Sequence, residues 1–143
     1  MTQFRTPAQP ARLCLRMACD VSAVSGIAQQ VRVFLKQTGC AEKDVNDCEL
    51  ALVEACNNAV LYAAPDPARC EVGIEAVSGP EQIEVRVTDH TPGLSWPERA
   101  TLPEATSERG RGLFIIKAVM DSTHYHKAPE GNTLVLQKRR SHQ

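Results

Sequence analysis

Residues 49–63 read ELALVEACNNAVLYA, and the fold turns on whether this run is a helix. At helical spacing Cys48, Leu52, Ala55, Cys56, Ala59 and Ala63 gather on one side, which makes them a core face. Asp47, Glu54 and Asn58 gather almost opposite, flanked by Leu50 and Leu61. Residues four apart on a helix are neighbours, so the carboxylate of Glu54 and the amide of Asn58 point the same way. A solvated face is the ordinary explanation of such a pair. Two adjacent asparagines in mid-helix, Asn57 and Asn58, nevertheless cost roughly several tenths of a kcal/mol each in propensity, so something else is expected to hold them there. The helix is expected to begin near Asp44 and to run to about Ala63, where Pro65 and Pro67 end it.

Outward from this run the chain alternates between two periods. RLCLRMA (residues 12–18) reads as a strand with one buried face. Asp20 or Ser22 can cap a helix carrying Val24, Ile27, Val31, Phe34 and Leu35, which stops at Gly39. CEVGIEAV (70–77) and QIEVRVTD (82–89) form an expected hairpin through the turn SGPE. Residues 90–109 carry three prolines, a glycine and no period, the mark of a lid, a binding segment or a disordered stretch. GRGLFIIKAVMD (110–121) resumes a helix with Leu113, Ile116 and Met120 on one stripe. HYHKA (124–128) and TLVLQKR (133–139) close the chain as strands around PEGN. Long helices beside a largely antiparallel mixed sheet predict an α/β two-layer sandwich with helices covering one face. The expected layout is a flexible arm at 1–11, one domain at 12–139 with a lid at about 94–109, and a tail at 140–143.

The bulk numbers exclude several classes. The 143 residues fit one domain, and 43% apolar with 23% charged residues is a globular composition. A net charge of -1 favours neither nucleic acid nor an anionic membrane as partner. No run approaches the ~18 apolar residues of a membrane span, and MTQFRTPAQPAR lacks the apolar core of a secretory signal. The six cysteines include no CxxC, so a zinc site is not expected. Cys48 and Cys56 read as small hydrophobes, and reduced thiols in a cytoplasm are the natural expectation.

Two further stretches bear on chemistry. In VTDHTPG (87–93) Asp89 ends a strand, where its carboxylate can accept a hydrogen bond from an exocyclic amine while Gly93 lets a flat ring approach the backbone. In ERGRGLFIIKAVMD (108–121) Gly110 and Gly112 stand where a helix begins. Free backbone N–H groups and the positive end of the dipole suit a phosphate there, with Arg109 and Arg111 adding charge. Each piece alone is a common turn or helix start. The run is neither a Walker A loop nor the strand-first glycine fingerprint of dinucleotide folds.

Taken in order, ELALVEACNNAVLYA, VTDHTPG, a proline-rich lid, RGRGLFIIKAVMD and GNTLVL resemble the GHKL family of ATP-binding domains over roughly residues 12 to 138. Within that family the short lid and the style of the first box look most like the bacterial anti-sigma factor serine kinases. The resemblance implies a Bergerat-type fold that binds ATP and Mg²⁺. It implies that Glu54 is the general base, that the Asn58 amide binds Mg²⁺, and that Asp89 receives the adenine amino group with Gly93 beside the ring. Arg109, Gly110, Arg111, Gly112 and Leu113 would form the phosphate segment, and Thr133 would lie near the adenine. Thr91 stands where many members have glycine, and Tyr62 replaces a frequent histidine.

The function so implied is a cytoplasmic serine-protein kinase. It would phosphorylate a serine of a STAS-type anti-anti-sigma partner, sequester a sigma factor or similar client, and work as a homodimer. Two alternatives are a nucleotide-dependent binding module without phosphotransfer and a detached histidine-kinase-like catalytic domain. The presence of both Glu54 and Asn58 speaks against the first. The expected N-terminal arm is too short for the phosphoacceptor helix of the second.

Overall fold

Alternation of apolar and polar residues, broken in Leu134-Val135-Leu136, builds the sheet. The computed structural model of the chain describes residues 9–61, 71–89, 108–128 and 131–141, with backbone alone for 108–111. The strands are β1 (Ala11–Ala18), β2 (Glu71–Ser78), β3 (Gln82–Asp89), β4 (Ser122–Ala128) and β5 (Gly131–Arg139). They lie in the order β1-β2-β3-β5-β4, and every neighbouring pair among them is antiparallel. Where the sequence reading allowed a mixed sheet, the described strands contain no parallel pair.

Register aligns the apolar positions into rows across the sheet. One row runs Leu15, Ile74, Val87, Leu134, Tyr125, and the next runs Leu13, Ala76, Val85, Leu136, Thr123. Most of these residues are buried or packed against the core. The intervening row, Cys14, Glu75, Arg86, Val135 and His124, points to the opposite face, as does the flanking row Arg16, Gly73, Thr88, Thr133 and His126. A shift of one residue in any strand would exchange the two faces.

Three of the described helices cover the apolar face. Asp20 accepts a 2.9 Å bond from the Ser22 N–H and caps a short 3-10 turn (Val21–Ala23), which runs into α1 (Val24–Gln37). Gly39, with φ 83°, turns the chain in a conformation that other residues rarely adopt. α2 (Glu42–Leu61) begins two residues earlier than expected and packs against α1, β2, β3 and β5. Its core stripe of Cys48, Leu52, Ala55, Cys56 and Ala59 is buried, as the period requires. Ala63 and the two prolines lie outside the described residues. α3 (Glu108–Val119) lies beside α2 and buries Leu113 and Ile116, with Met120 just past its end.

The C-terminal end of β5 is fastened to the start of α2. Ser141 donates to the fully buried Asp44 from its backbone N–H at 2.7 Å and from its hydroxyl at 2.9 Å. Lys138 forms a 3.0 Å ion pair with Asp47 and donates to the Val119 carbonyl at the end of α3. Arg140 donates to the carbonyls of Gly79 and Thr38.

Cysteine chemistry departs from the sequence reading in one place. Cys19 is disulfide-bonded, which corrects the expectation of six reduced thiols. It directly follows Ala18, the residue paired with Glu71 at the start of β2, and such cross-sheet closeness leaves no trace in linear spacing. Cys14, Cys40, Cys48 and Cys56 are free, and Cys70 lies outside the described residues. Burial pushes the thiols of Cys48 and Cys56 up to about 12, so both behave as small apolar groups.

Candidate functional site

Glu54 and Asn58 sit one turn apart in the second half of α2, but they do not face open solvent. α3 packs along this side of α2, leaving Glu54 half-buried and Asn58 only 3% exposed. A helical wheel placed the pair opposite the core because it cannot represent a neighbouring helix. Gly112 of α3 lies against the pair. A Cβ there would stand 2.8 Å from Glu54 Oε2 and 3.2 Å from Asn58 Nδ2. With no Cβ at this position, neither polar side chain has to shift to admit α3.

The amide nitrogen of Asn58 is buried and has no hydrogen-bond partner among the described residues. Leaving such a group unmade costs about 1–3 kcal/mol, and an incoming ligand or ion is a common reason it persists. The same amide carries an oxygen, a hard donor of the kind Mg²⁺ accepts. No cluster of three acidic, His or Cys side chains able to hold a metal occurs among the described residues. A lone amide oxygen suits an ion that keeps most of its shell as water and phosphate oxygen, which is the habit of Mg²⁺. The donor set therefore fits the ion that the sequence resemblance implied.

α3 supplies the other half of the seam. It starts at Glu108, two residues before the expected Gly110, so Arg109, Gly110 and Arg111 form its first turn. The opening N–H groups of a helix have no intrahelical partner and carry the positive end of its dipole. Glu54 and Asn58 thus meet α3 one turn from a backbone suited to an anion. Leu113 can contribute only backbone to such a cradle, because its side chain is buried in the core. Gly93 and most of the expected lid lie outside the described residues.

Asp89 ends β3 on the helix-covered face, directly across from Asn132 of β5. The Asn132 amide donates to Asp89 Oδ1 at 3.3 Å, and Asn132 is 4% exposed. On the same face Tyr125 has its phenol pushed up to about 12, first by burial and then by the charge of Asp89. Thr133 is not in this group. Its hydroxyl lies 3.0 Å from that of Thr88 on the opposite face of the sheet. The expectation for Thr133 is therefore corrected: successive strand residues face opposite ways, and Asn132 occupies the place beside Asp89. The available signal was the period of β5, which begins at Gly131 rather than Thr133.

A cavity of about 530 Å³ on that opposite face is lined by residues including Cys14, Arg16, Glu75, Arg86, Thr88 and Thr133. It contains none of Glu54, Asn58, Asp89 or Gly112, so its size does not make it the centre of this chemistry. No helix among the described residues is long and apolar enough to cross a membrane.

Known proteins share this layout. A family model described as a histidine kinase-like ATPase domain matches residues 17–138. An anti-sigma F factor of Oceanobacillus iheyensis is 27% identical over 110 residues, covering 73% of this chain and 75% of that protein. The serine-protein kinase RsbW of Bacillus velezensis is 28% identical over 107 residues, covering 68% of this chain and 62% of that protein. A crystal structure of the RsbU and RsbW domains of a Mycobacterium tuberculosis protein superposes with a TM-score of 0.70 at 22% identity. It covers 97% of this chain and 34% of the longer one.

Proposed function

The chain belongs to the histidine kinase-like ATPase domain family, and we propose that it is an ATP-dependent serine-protein kinase acting in a partner switch. The observation that carries this reading is the α2–α3 seam, where the Glu54 carboxylate and the Asn58 amide, its nitrogen without a partner among the described residues, meet α3 at Gly112. A structural helix pair has no use for an unsatisfied amide nitrogen at its seam. A site that receives phosphate and metal does.

In the proposed reaction Glu54 accepts the proton of a serine hydroxyl as its oxygen attacks the γ-phosphorus of ATP. The β–γ bridging P–O bond breaks, leaving phosphoserine and ADP. Phosphoryl transfer calls for positioning and charge neutralisation more than covalent help from the protein. α2 positions the base, the start of α3 with Arg109, Gly110, Arg111 and Gly112 receives the phosphates, and Asp89 accepts from the adenine amine. Asn58 would hold Mg²⁺, which when bound neutralises phosphate charge. Gly93 beside the ring and the lid at about 94–109, whose last two residues open α3, complete the proposed domain.

The acceptor is proposed to be a small STAS-type anti-anti-sigma protein. The sequestered client is a sigma factor or its equivalent, and the assembly is a cytoplasmic homodimer. Two relatives named anti-sigma F factor and serine-protein kinase RsbW support this choice over other members of the family.

Incubating the protein with Mg-ATP labelled at the γ-phosphate and a STAS protein encoded nearby tests the reading. Label on serine is expected. ATP binding without transfer would reduce the protein to a nucleotide-dependent binding module, and label on histidine would move it to the histidine kinases. Asp89→Asn should weaken ATP binding itself, through loss of a charged acceptor.

A further inference from the structure

We propose that Leu50 and Leu61 of α2 form the docking surface for the protein that carries the acceptor serine. The inference rests on the kinase reading above and deepens it, by naming where the acceptor seats and what its own surface offers.

The open side of α2 changes character along its length. Its first turns expose Glu42, Lys43 and Asn46, the ordinary polar cover of a solvated helix. Further along, Ala51, Leu52, Ala55, Cys56, Asn58 and Ala59 are buried, and the side chains left most open are leucines. Leu50 is 43% exposed and Leu61 49%. By helical geometry Leu50, Glu54 and Leu61 fall within about 40° of one another around the axis. The rise of the helix puts Leu50 about 6 Å to one side of the base and Leu61 about 10 Å to the other. Asn58 is turned further round toward Gly112, so the seam with α3 leaves both leucines open.

A single exposed leucine is ordinary on a protein surface. Two that bracket a base on one stripe are different, because the chemistry fixes what passes over them. Glu54 can take a proton from a serine only within hydrogen-bond reach. A protein that brings a hydroxyl so close covers about 800 Å² in a stable interface, a patch roughly 30 Å across. Both leucines lie inside that patch and near its centre, where charged side chains are depleted. The fitting acceptor therefore presents apolar side chains on both sides of its serine, spaced to meet Leu50 and Leu61. The competing explanation is that each leucine serves only as a good helix former. Glutamine forms helices nearly as well, so Leu50→Gln and Leu61→Gln remove the apolar surface and leave the helix intact.

Steady-state phosphotransfer from Mg-ATP to the STAS protein encoded nearby tests this, with calorimetry of ATP binding beside it. Each glutamine variant is expected to raise the acceptor KM about tenfold, through loss of a half-leucine of apolar contact. Its kcat at saturating acceptor and its ATP affinity should stay within about twofold of wild type, because the base and the nucleotide site are untouched. Leu50→Met keeps the apolar bulk and should keep the acceptor KM within about threefold. An unchanged acceptor KM in both glutamine variants overturns the proposal while leaving the kinase reading intact. A loss of ATP affinity equal to the rise in KM also overturns it, by giving the leucines to the nucleotide. So does a dimer that dissociates in the variants by light scattering, which would give them to a second copy. If Leu61→Gln fails to fold, Leu50→Gln alone decides. A wild-type protein that binds ATP but labels no serine overturns the kinase reading and this inference together, a pattern distinct from the others.

Discussion

In the first half of α2, Asp44 is fully buried and takes two hydrogen bonds from Ser141, and Asp47 pairs with Lys138 at 3.0 Å. In the second half, Asn58 is buried almost as deeply and its amide nitrogen has no partner among the described residues. One helix therefore carries polar groups in two opposite conditions. The first set fastens α2 to the end of β5, and its bonds close within the chain. The second leaves hydrogen-bonding capacity open at the point where Gly112 lets another helix approach. Burial of a polar side chain does not by itself mark a site; burial without satisfaction does.

Four substitutions can break or sharpen this contrast. The largest effect belongs to Glu54→Ala, which should lower phosphotransfer by about 10²-fold or more while ATP binding and the melting temperature hold. Transfer at the wild-type rate would remove Glu54 from the chemistry. Asp44→Ala should act the other way round. It orphans the Ser141 N–H and should cost about 2–3 kcal/mol in urea unfolding, with ATP affinity of the folded protein unchanged.

Lys138→Met should cost less, about 1–2 kcal/mol, because Asp47 retains some access to water. Burial pulls the Lys138 ammonium down, but the Asp47 hydrogen bond and the charges of Asp47, Asp121 and Asp44 outweigh it and hold it above the ordinary lysine value. A raised lysine stabilises the fold fully below the unfolded value of about 10.4, and that contribution is lost as pH rises through the folded value. The stability gap between wild type and Lys138→Met should thus be constant at neutral pH and close in strong alkali. A gap that widened with rising pH would contradict the pairing.

The smallest effect on stability is expected at the residue most important to the ligand. Asn58→Leu removes an unsatisfied buried amide, so unfolding should stay within about 0.5 kcal/mol of wild type while Mg-ATP affinity collapses. A loss of 2 kcal/mol or more, by the same scale, would mean that the amide is satisfied in the folded chain and that the two halves of α2 do not differ.

Periodicity alone settled a good deal. The stripe of Cys48, Leu52, Ala55, Cys56 and Ala59 and the alternation in β2 and β3 each depend on local spacing, so the linear chain displays them. The same spacing put Glu54 beside Asn58 and Asp89 at the end of a strand. What lay between elements was not legible. That α3 covers Asn58, that Gly112 touches Glu54, that Asn132 rather than Thr133 stands beside Asp89, and that Cys19 is bonded all depend on where distant segments come to rest. Helix and strand periods tell which side of an element a residue takes; only packing and register decide what meets it there, because those contacts join residues tens of positions apart.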